Sequence, residues 1–100
     1  MITWTSAAEQ DLADIALHLD REAGARIAQG FIDSVDATCV LLDAHPYLGP
    51  ARRLRPRVRS LRVAGFRNYL VFYEPTREGI RILRILHGMR DLNRLIGLIL

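Results

Sequence analysis

The chain has 100 residues, half of them hydrophobic, with fourteen arginines, eleven acidic residues and a formal net charge of +3. That size allows one domain, residues 1–100, with one core. The apolar content excludes a disordered chain, the longest apolar runs fall far short of the ~20 residues that span a bilayer, and no basic-then-apolar leader opens the sequence.

Ile2-Thr3-Trp4-Thr5 is short and rich in strand formers, and reads as an opening strand. Ser6-Ala-Ala-Glu9 is a capping-box pattern, with the Ser6 hydroxyl accepting from the Glu9 amide and the Glu9 side chain reaching back. Ala8, Leu12, Ile15, Ala16 and Leu19 follow as one apolar stripe. Asp11, Asp14 and Asp20 fall mostly off it, and Gly24 is the stop. A second helix is expected over 25–44. Ile27, Phe31, Val35, Thr38 and Leu42 make its ridge, widened by Ile32, Cys39 and Leu41. Gly30 inside it costs ~1 kcal/mol relative to Ala, and close approach of the first helix is the expected reason. The short link makes the two helices an antiparallel hairpin. Pro46, Gly49 and Pro50 end helical structure.

Residues 52–57 read as a basic linker containing Pro56. Val58 to Val63 reads as a strand with Leu61 and Val63 on one face, and Ala64-Gly-Phe66 as a turn. Arg67 to Glu74 is a second strand, and Pro75-Thr-Arg-Glu-Gly79 a hairpin loop. Ile80 to His87 is apolar on both faces (Ile80, Ile82, Leu86 and Leu83, Ile85). It is therefore expected to be central, with the opening strand on its free side. The apolar tail, 92–100, is expected either to form a short helix on the domain or to join a partner-binding surface. The sum is an α+β fold, β-α-α-β-β-β, with a helical hairpin packed on an antiparallel sheet of about four strands.

Charge is unevenly placed. Residues 1–43 hold eight acids and two arginines, whereas 44–100 hold twelve arginines and three acids; there is no lysine. Arginine offers planar, paired donors to carboxylate or phosphate and does not act as an acid or base at neutral pH. Arg52, Arg53, Arg55, Arg57, Arg59 and Arg62 repel one another unless an anion lies near. The acidic helices, an acidic partner or nucleic acid would each serve, but the run lacks the interleaved aromatics that stack on bases. The lone Cys39 excludes an internal disulfide and reads as a buried small hydrophobe. His18, His45 and His87 are too widely spaced for a metal set. No cofactor or metal is expected, and a reducing cytoplasm fits.

The order of elements, Pro46-x-x-Gly49, Val58-Arg-Ser-Leu61, Tyr69-Leu-Val-Phe-Tyr73 and Arg84-Ile-Leu-His-Gly-Met-Arg-Asp91 together resemble the RelE/ParE superfamily of bacterial toxins over nearly the whole chain. The His-Gly-x-Arg-Asp ending points to the ParE branch. The resemblance implies the toxin of a type II toxin–antitoxin module, silenced by a small cognate antitoxin. ParE-like members poison DNA gyrase; RelE-like members cut messenger RNA on the ribosome. Fold alone does not choose between them.

A nuclease would need an acid–base pair and cations for the phosphate. The candidates are His87, Glu74, Tyr73, Arg62 and Arg84, although Gly88 stands where related nucleases place an aromatic. A gyrase-directed toxin needs no catalytic group, only a gripping surface, for which Arg67, Arg84, His87 and Arg90 are the candidates. A third reading is an inactive toxin fold kept as a binding partner. The antitoxin is expected to place apolar anchors near Leu12, Ile15 and Leu19 or the tail, and carboxylates against Arg53, Arg55, Arg57 and Arg59.

Overall fold

The structure, a computed structural model, describes residues 1–52 and 55–91. Its elements are β1 (Ile2–Trp4), α1 (Ser6–Ala23), α2 (Ala25–Ala44), β2 (Ala51–Arg52), β3 (Arg55–Val63), β4 (Phe66–Pro75) and β5 (Ile80–His87). The two helices cover one face of a sheet ordered β1-β5-β4-β3-β2. This is the α+β hairpin-on-sheet fold read from the sequence, with two refinements. β1 takes the free side of β5 but runs parallel to it, with Ile2 opposite Ile80 and Trp4 opposite Ile82. β1 and β5 are separated in the chain by both helices and three strands, so no tight hairpin forces them antiparallel. The supposed basic linker is partly strand: Ala51–Arg52 forms β2, and β3 begins at Arg55. The 92–100 tail and its expected helix lie outside the described residues.

The first helix begins one residue earlier than the capping-box pattern indicates. Thr5, not Ser6, is the cap, and its hydroxyl accepts from the Ala8 amide at 3.1 Å. The same hydroxyl donates to the Leu83 carbonyl at 2.8 Å. Thr5 is thus held by β5 at the point where the helix starts, and this fixes the boundary. Gly24, at φ 95°, ends α1 as expected.

Alternation along β5 also departs from a simple period of two. Phe72 of β4 faces Arg84, while Tyr73 faces Ile82, which leaves Leu83 as an extra residue. This bulge resets the pleat. Ile80, Ile82 and Ile85 therefore all join the helix-side core, whereas Leu83 and Leu86 join Val58, Phe72 and Leu70 in a smaller cluster. On the helix side Phe31 meets Phe66 and Tyr69 edge-on, with ring centroids 5.1 Å apart in both pairs. Cys39 is buried among them, and burial, reinforced by Asp36, pushes its thiol up to about 12. It packs as a hydrophobe and is protonated at neutral pH.

The α2 ridge is buried as expected at Phe31, Val35, Thr38 and Leu42, and differs only at its edges. Ala28, Phe31, Val35, Thr38, Cys39 and Leu42 are buried, while Ile27 and Leu41 stay exposed. Gly30 lies off the buried face, and a Cβ there would meet nothing within 4 Å. No neighbouring backbone requires the glycine. Gly30→Ala is therefore expected to stabilise the protein by about 0.5–1 kcal/mol through helix propensity and lost unfolded-state freedom. A urea midpoint that falls instead would show a packing role that the geometry does not contain.

Candidate functional site

Two polar constellations lie at opposite ends of the sheet. The first gathers around the exit of β5. Asp11, which falls off the apolar stripe in the sequence, is nevertheless 5% exposed. Its carboxylate accepts from Arg84 Nε and Nη2 at 2.7 and 2.8 Å, and from the Ile85 amide at 3.0 Å. This bidentate pair fastens α1 to β5 just past the bulge, and the hydrogen bond to Asp11 raises the Arg84 pKa above its ordinary value.

Beyond it, the His-Gly-Met-Arg-Asp sequence closes a compact turn. Asp91 accepts from the His87 amide at 2.7 Å, and its own amide donates to the His87 carbonyl at 3.0 Å. His87 Nδ1 accepts from the Met89 and Arg90 amides at 3.2 and 3.0 Å. The ring proton therefore sits on Nε2. The ring stands edge-on to Tyr69 at 5.1 Å. Arg90 bonds the Tyr69 hydroxyl and approaches His18 Nε2 at 3.2 Å, joining the turn to α1. A cleft of about 180 Å³ opens there, lined by Asp14, Ile15, His18, Tyr69, Arg90 and Asp91 among others.

Desolvation, and then the neighbouring Arg90 charge, hold His87 below the ordinary histidine pKa. A depressed histidine binds fewer protons folded than unfolded. Its contribution is full above the unfolded value of about 6.5 and is lost as pH falls through the lower folded value. Protonation also removes the acceptor for two turn amides. The wild-type protein is therefore expected to lose more stability than His87→Gln between pH 7.5 and 5.5 in paired urea titrations. Parallel losses would show that the ring does not sense the proton.

The second constellation is basic. Arg59 donates through Nη1 to the Gly49 carbonyl at 2.8 Å and the Tyr47 carbonyl at 3.3 Å, and lies 4.8 Å from the Tyr47 ring centroid. Tyr47, Arg57, Arg59, Pro75, Thr76 and Arg77 line a pocket of about 500 Å³, and none of these lining residues is acidic. Arg53 and the Arg55 side chain lie outside the described residues.

The candidate nuclease residues are dispersed. Tyr73 is fully buried; its hydroxyl donates to the Pro46 carbonyl at 2.8 Å and accepts from the Gly49 amide at 2.9 Å. Burial raises its pKa. Glu74 lies 3.9 Å from Arg81. His87 is paired with Tyr69, five residues up β4 from Glu74, or roughly 17 Å at strand rise. Arg62 is exposed on β3, and Arg84 is committed to Asp11. The candidate target-binding residues are closer together. Exposed Arg67 precedes Asn68, whose carbonyl accepts from the Gly88 amide at 2.8 Å. Arg67, His87 and Arg90 thus share one end, with exposed Met89 between the last two. Leu12, Ile15 and Leu19 are half-buried and packed against the core.

His18, Tyr69, Tyr47 and Arg77 were not among the sequence candidates. Each reaches its constellation through tertiary pairing, such as the 72-residue separation of Arg90 and His18, which leaves no local pattern. Among the described residues no group of three or more His, Cys, Asp or Glu could hold a metal ion, and no helix is long and apolar enough to cross a membrane.

A helical hairpin over a bulged, largely antiparallel sheet is an α+β architecture that known proteins share. A chain of the "Chromosomal ParDE TA system from P. aeruginosa" superposes with a TM-score of 0.73 over 86% of this chain and 92% of that one, at 24% identity. That likeness concerns the fold. No curated protein sequence matches. Residues 2–92 match the family described as the ParE toxin of the type II toxin-antitoxin system, parDE. The chain belongs to the ParE toxin family.

Proposed function

We propose that this protein acts in the cytoplasm by binding DNA gyrase and arresting it, without a catalytic step of its own, and that a cognate antitoxin silences it by covering its surface. Family membership supports the toxin role. The observation that carries the mode of action is the fate of the candidate catalytic groups. Tyr73 spends its hydroxyl on the turn at Pro46 and Gly49, and Arg84 spends its guanidinium on Asp11. His87 uses Nδ1 to hold its own turn, far along the sheet from Glu74. General acid–base cleavage needs such groups converging within hydrogen-bond reach of one phosphodiester. A gripping surface needs only exposed side chains, as Arg67, Met89 and Arg90 are at the β5 exit.

The test adds purified protein to a gyrase supercoiling reaction and, separately, to ribosomes translating a defined message. Loss of supercoiling with an intact message is the expected result, with filamentation and an SOS response on induction in cells. Transcripts cut on the ribosome would replace this reading with a ribosome-dependent endoribonuclease. Normal supercoiling, intact message and normal growth would leave an inactive fold retained for partner binding.

A further inference from the structure

Three separate segments build the pocket at the basic end of the sheet. Arg57 and Arg59 lie two apart on β3 and so project from one face of it. Tyr47 comes from the turn after α2. That turn is pinned on both sides of Tyr47, because the buried Tyr73 hydroxyl donates to the Pro46 carbonyl at 2.8 Å and accepts from the Gly49 amide at 2.9 Å. Pro75, Thr76 and Arg77 come from the end of β4 and the loop after it, which the Thr76 amide closes by donating to the Gly79 carbonyl at 2.8 Å. The pocket's volume, about 500 Å³, falls within the range of small-ligand sites, roughly 300–1,000 Å³.

Three guanidiniums line it without a carboxylate among them. The acids at this end of the molecule are engaged elsewhere. Asp43 pairs with the Met1 amino group at 3.0 Å, and Glu74 lies 3.9 Å from Arg81. Glu78 lines a neighbouring pocket with Met1, Thr3 and Arg81. Among the described residues Arg57 and Arg77 enter no ion pair, and both are exposed. Arg59 is held in place by its Nη1 bonds to the Gly49 and Tyr47 carbonyls. A phosphate group, with several acceptor oxygens, answers more than one guanidinium at once.

The Tyr47 ring is the second, independent observation. Arg59 lies 4.8 Å from its centroid on one face, yet the residue stays 71% exposed. The opposite face is therefore open to water. A large aromatic fixed by a pinned turn and left bare is a stacking platform for a flat group. The basic run has no aromatic within it; the fold brings one from the turn after α2. Carboxylates of an acidic partner would neutralise the arginines but would leave the ring with nothing to stack. An unpaired nucleotide supplies both a planar base and a phosphate.

We propose that this pocket binds an unpaired nucleotide, with its base on the open face of Tyr47 and its phosphate among Arg57, Arg59 and Arg77. A base within a duplex is already stacked on its neighbours and has no free face to give, so duplex is not the ligand. The same chemistry is offered by a free nucleotide and by a single strand. The assignment is independent of the gyrase reading, whose gripping residues lie at the β5 exit, at the other end of the sheet.

The test measures fluorescence anisotropy of the full chain with a labelled oligothymidylate of about ten nucleotides. Thymidine triphosphate, inorganic triphosphate, an oligoglutamate peptide and a blunt duplex serve as competitors. Wild type is expected to bind saturably, and more weakly as salt rises from about 50 to about 200 mM. Arg57→Gln with Arg77→Gln is expected to lose at least ~10-fold. Arg21→Gln with Arg26→Gln removes the same charge from exposed positions on the helices and is expected to bind like wild type. Tyr47→Ala is expected to lose at least ~5-fold for the oligonucleotide while inorganic triphosphate competes as before; Tyr47→Phe keeps the ring and the affinity. Urea midpoints equal to wild type confirm that each variant folds.

A strand bound more tightly than thymidine triphosphate supports the proposal and identifies nucleic acid as the source; the reverse order supports it with a free nucleotide. Absence of saturable binding overturns it. So does an equal loss in the charge-matched control, which means non-specific attraction. If Tyr47→Ala weakens triphosphate as much as oligonucleotide, the ring only positions Arg59 and the stacking assignment falls. Duplex that competes as well as the single strand also removes it. Oligoglutamate that competes as well as nucleotide makes the pocket a carboxylate site and overturns the proposal.

Discussion

Asp11→Ala is expected to lower stability by about 2–4 kcal/mol, measured as the urea unfolding free energy at neutral pH. The carboxylate receives three hydrogen bonds, two from Arg84 and one from the Ile85 amide. Removing one partner of a buried ion pair costs about 3–5 kcal/mol, because the remaining charge and donors lose their compensation. The Arg84 side chain is 25% exposed, so water recovers part of that cost and the expected figure sits below the top of the range. Asp11→Asn keeps an acceptor for the Ile85 amide and is expected to fall between wild type and alanine. Because the Asp11 side is buried, added salt is expected to change the difference little. A loss below about 1 kcal/mol would mean that the pair is only a surface contact.

The second large effect is expected at Gly49→Ala. A Cβ there would stand 2.5 Å from the Ser60 carbonyl oxygen and 2.8 Å from the Tyr73 hydroxyl. One obstacle is strand backbone and the other a fully buried ring, so neither yields without moving the core. Relief comes by displacing the turn, which strains the Gly49 amide bond to Tyr73 and the Arg59 bond to the Gly49 carbonyl. Over-packing costs about 1–3 kcal/mol and each of the two weakened hydrogen bonds about 1 kcal/mol, for a total of about 3–5 kcal/mol. Tyr73→Phe removes the hydroxyl alone and is expected to cost about 1–2 kcal/mol. The double variant discriminates further. Deleting the hydroxyl clears one obstacle but leaves the Ser60 carbonyl, so it should rescue Gly49→Ala only in small part. Full rescue in thermal melts would place the clash on the tyrosine alone.

The helices and β5 were legible in the sequence because their signals are local: α2 and β5 coincide with the residues read for them. What stayed hidden was set by distant groups. The α1 boundary moved because Thr5 bonds Leu83, and the β5 faces changed because a bulge inserted Leu83. The burial of Asp11, off the apolar stripe, was hidden because its partner is 73 positions away. The α2 ridge was legible at Phe31, Val35, Thr38 and Leu42; only at its first turn does Ala28 rather than Ile27 face inward, because both are apolar and periodicity alone does not choose between them. The basic run was visible as composition, but its convergence with Tyr47 and Arg77 depends on how the turn after α2 meets the β4–β5 loop.

The clasp between Thr5, Asp11 and β5 also bears on how the molecule comes into being. During vectorial synthesis the first helix leaves the exit tunnel long before the strand that satisfies it. A nascent chain halted before position 80 carries an unpaired Asp11 carboxylate and a β1 with no neighbour. Its sheet closes only once β5 has emerged, so maturation waits on that one strand.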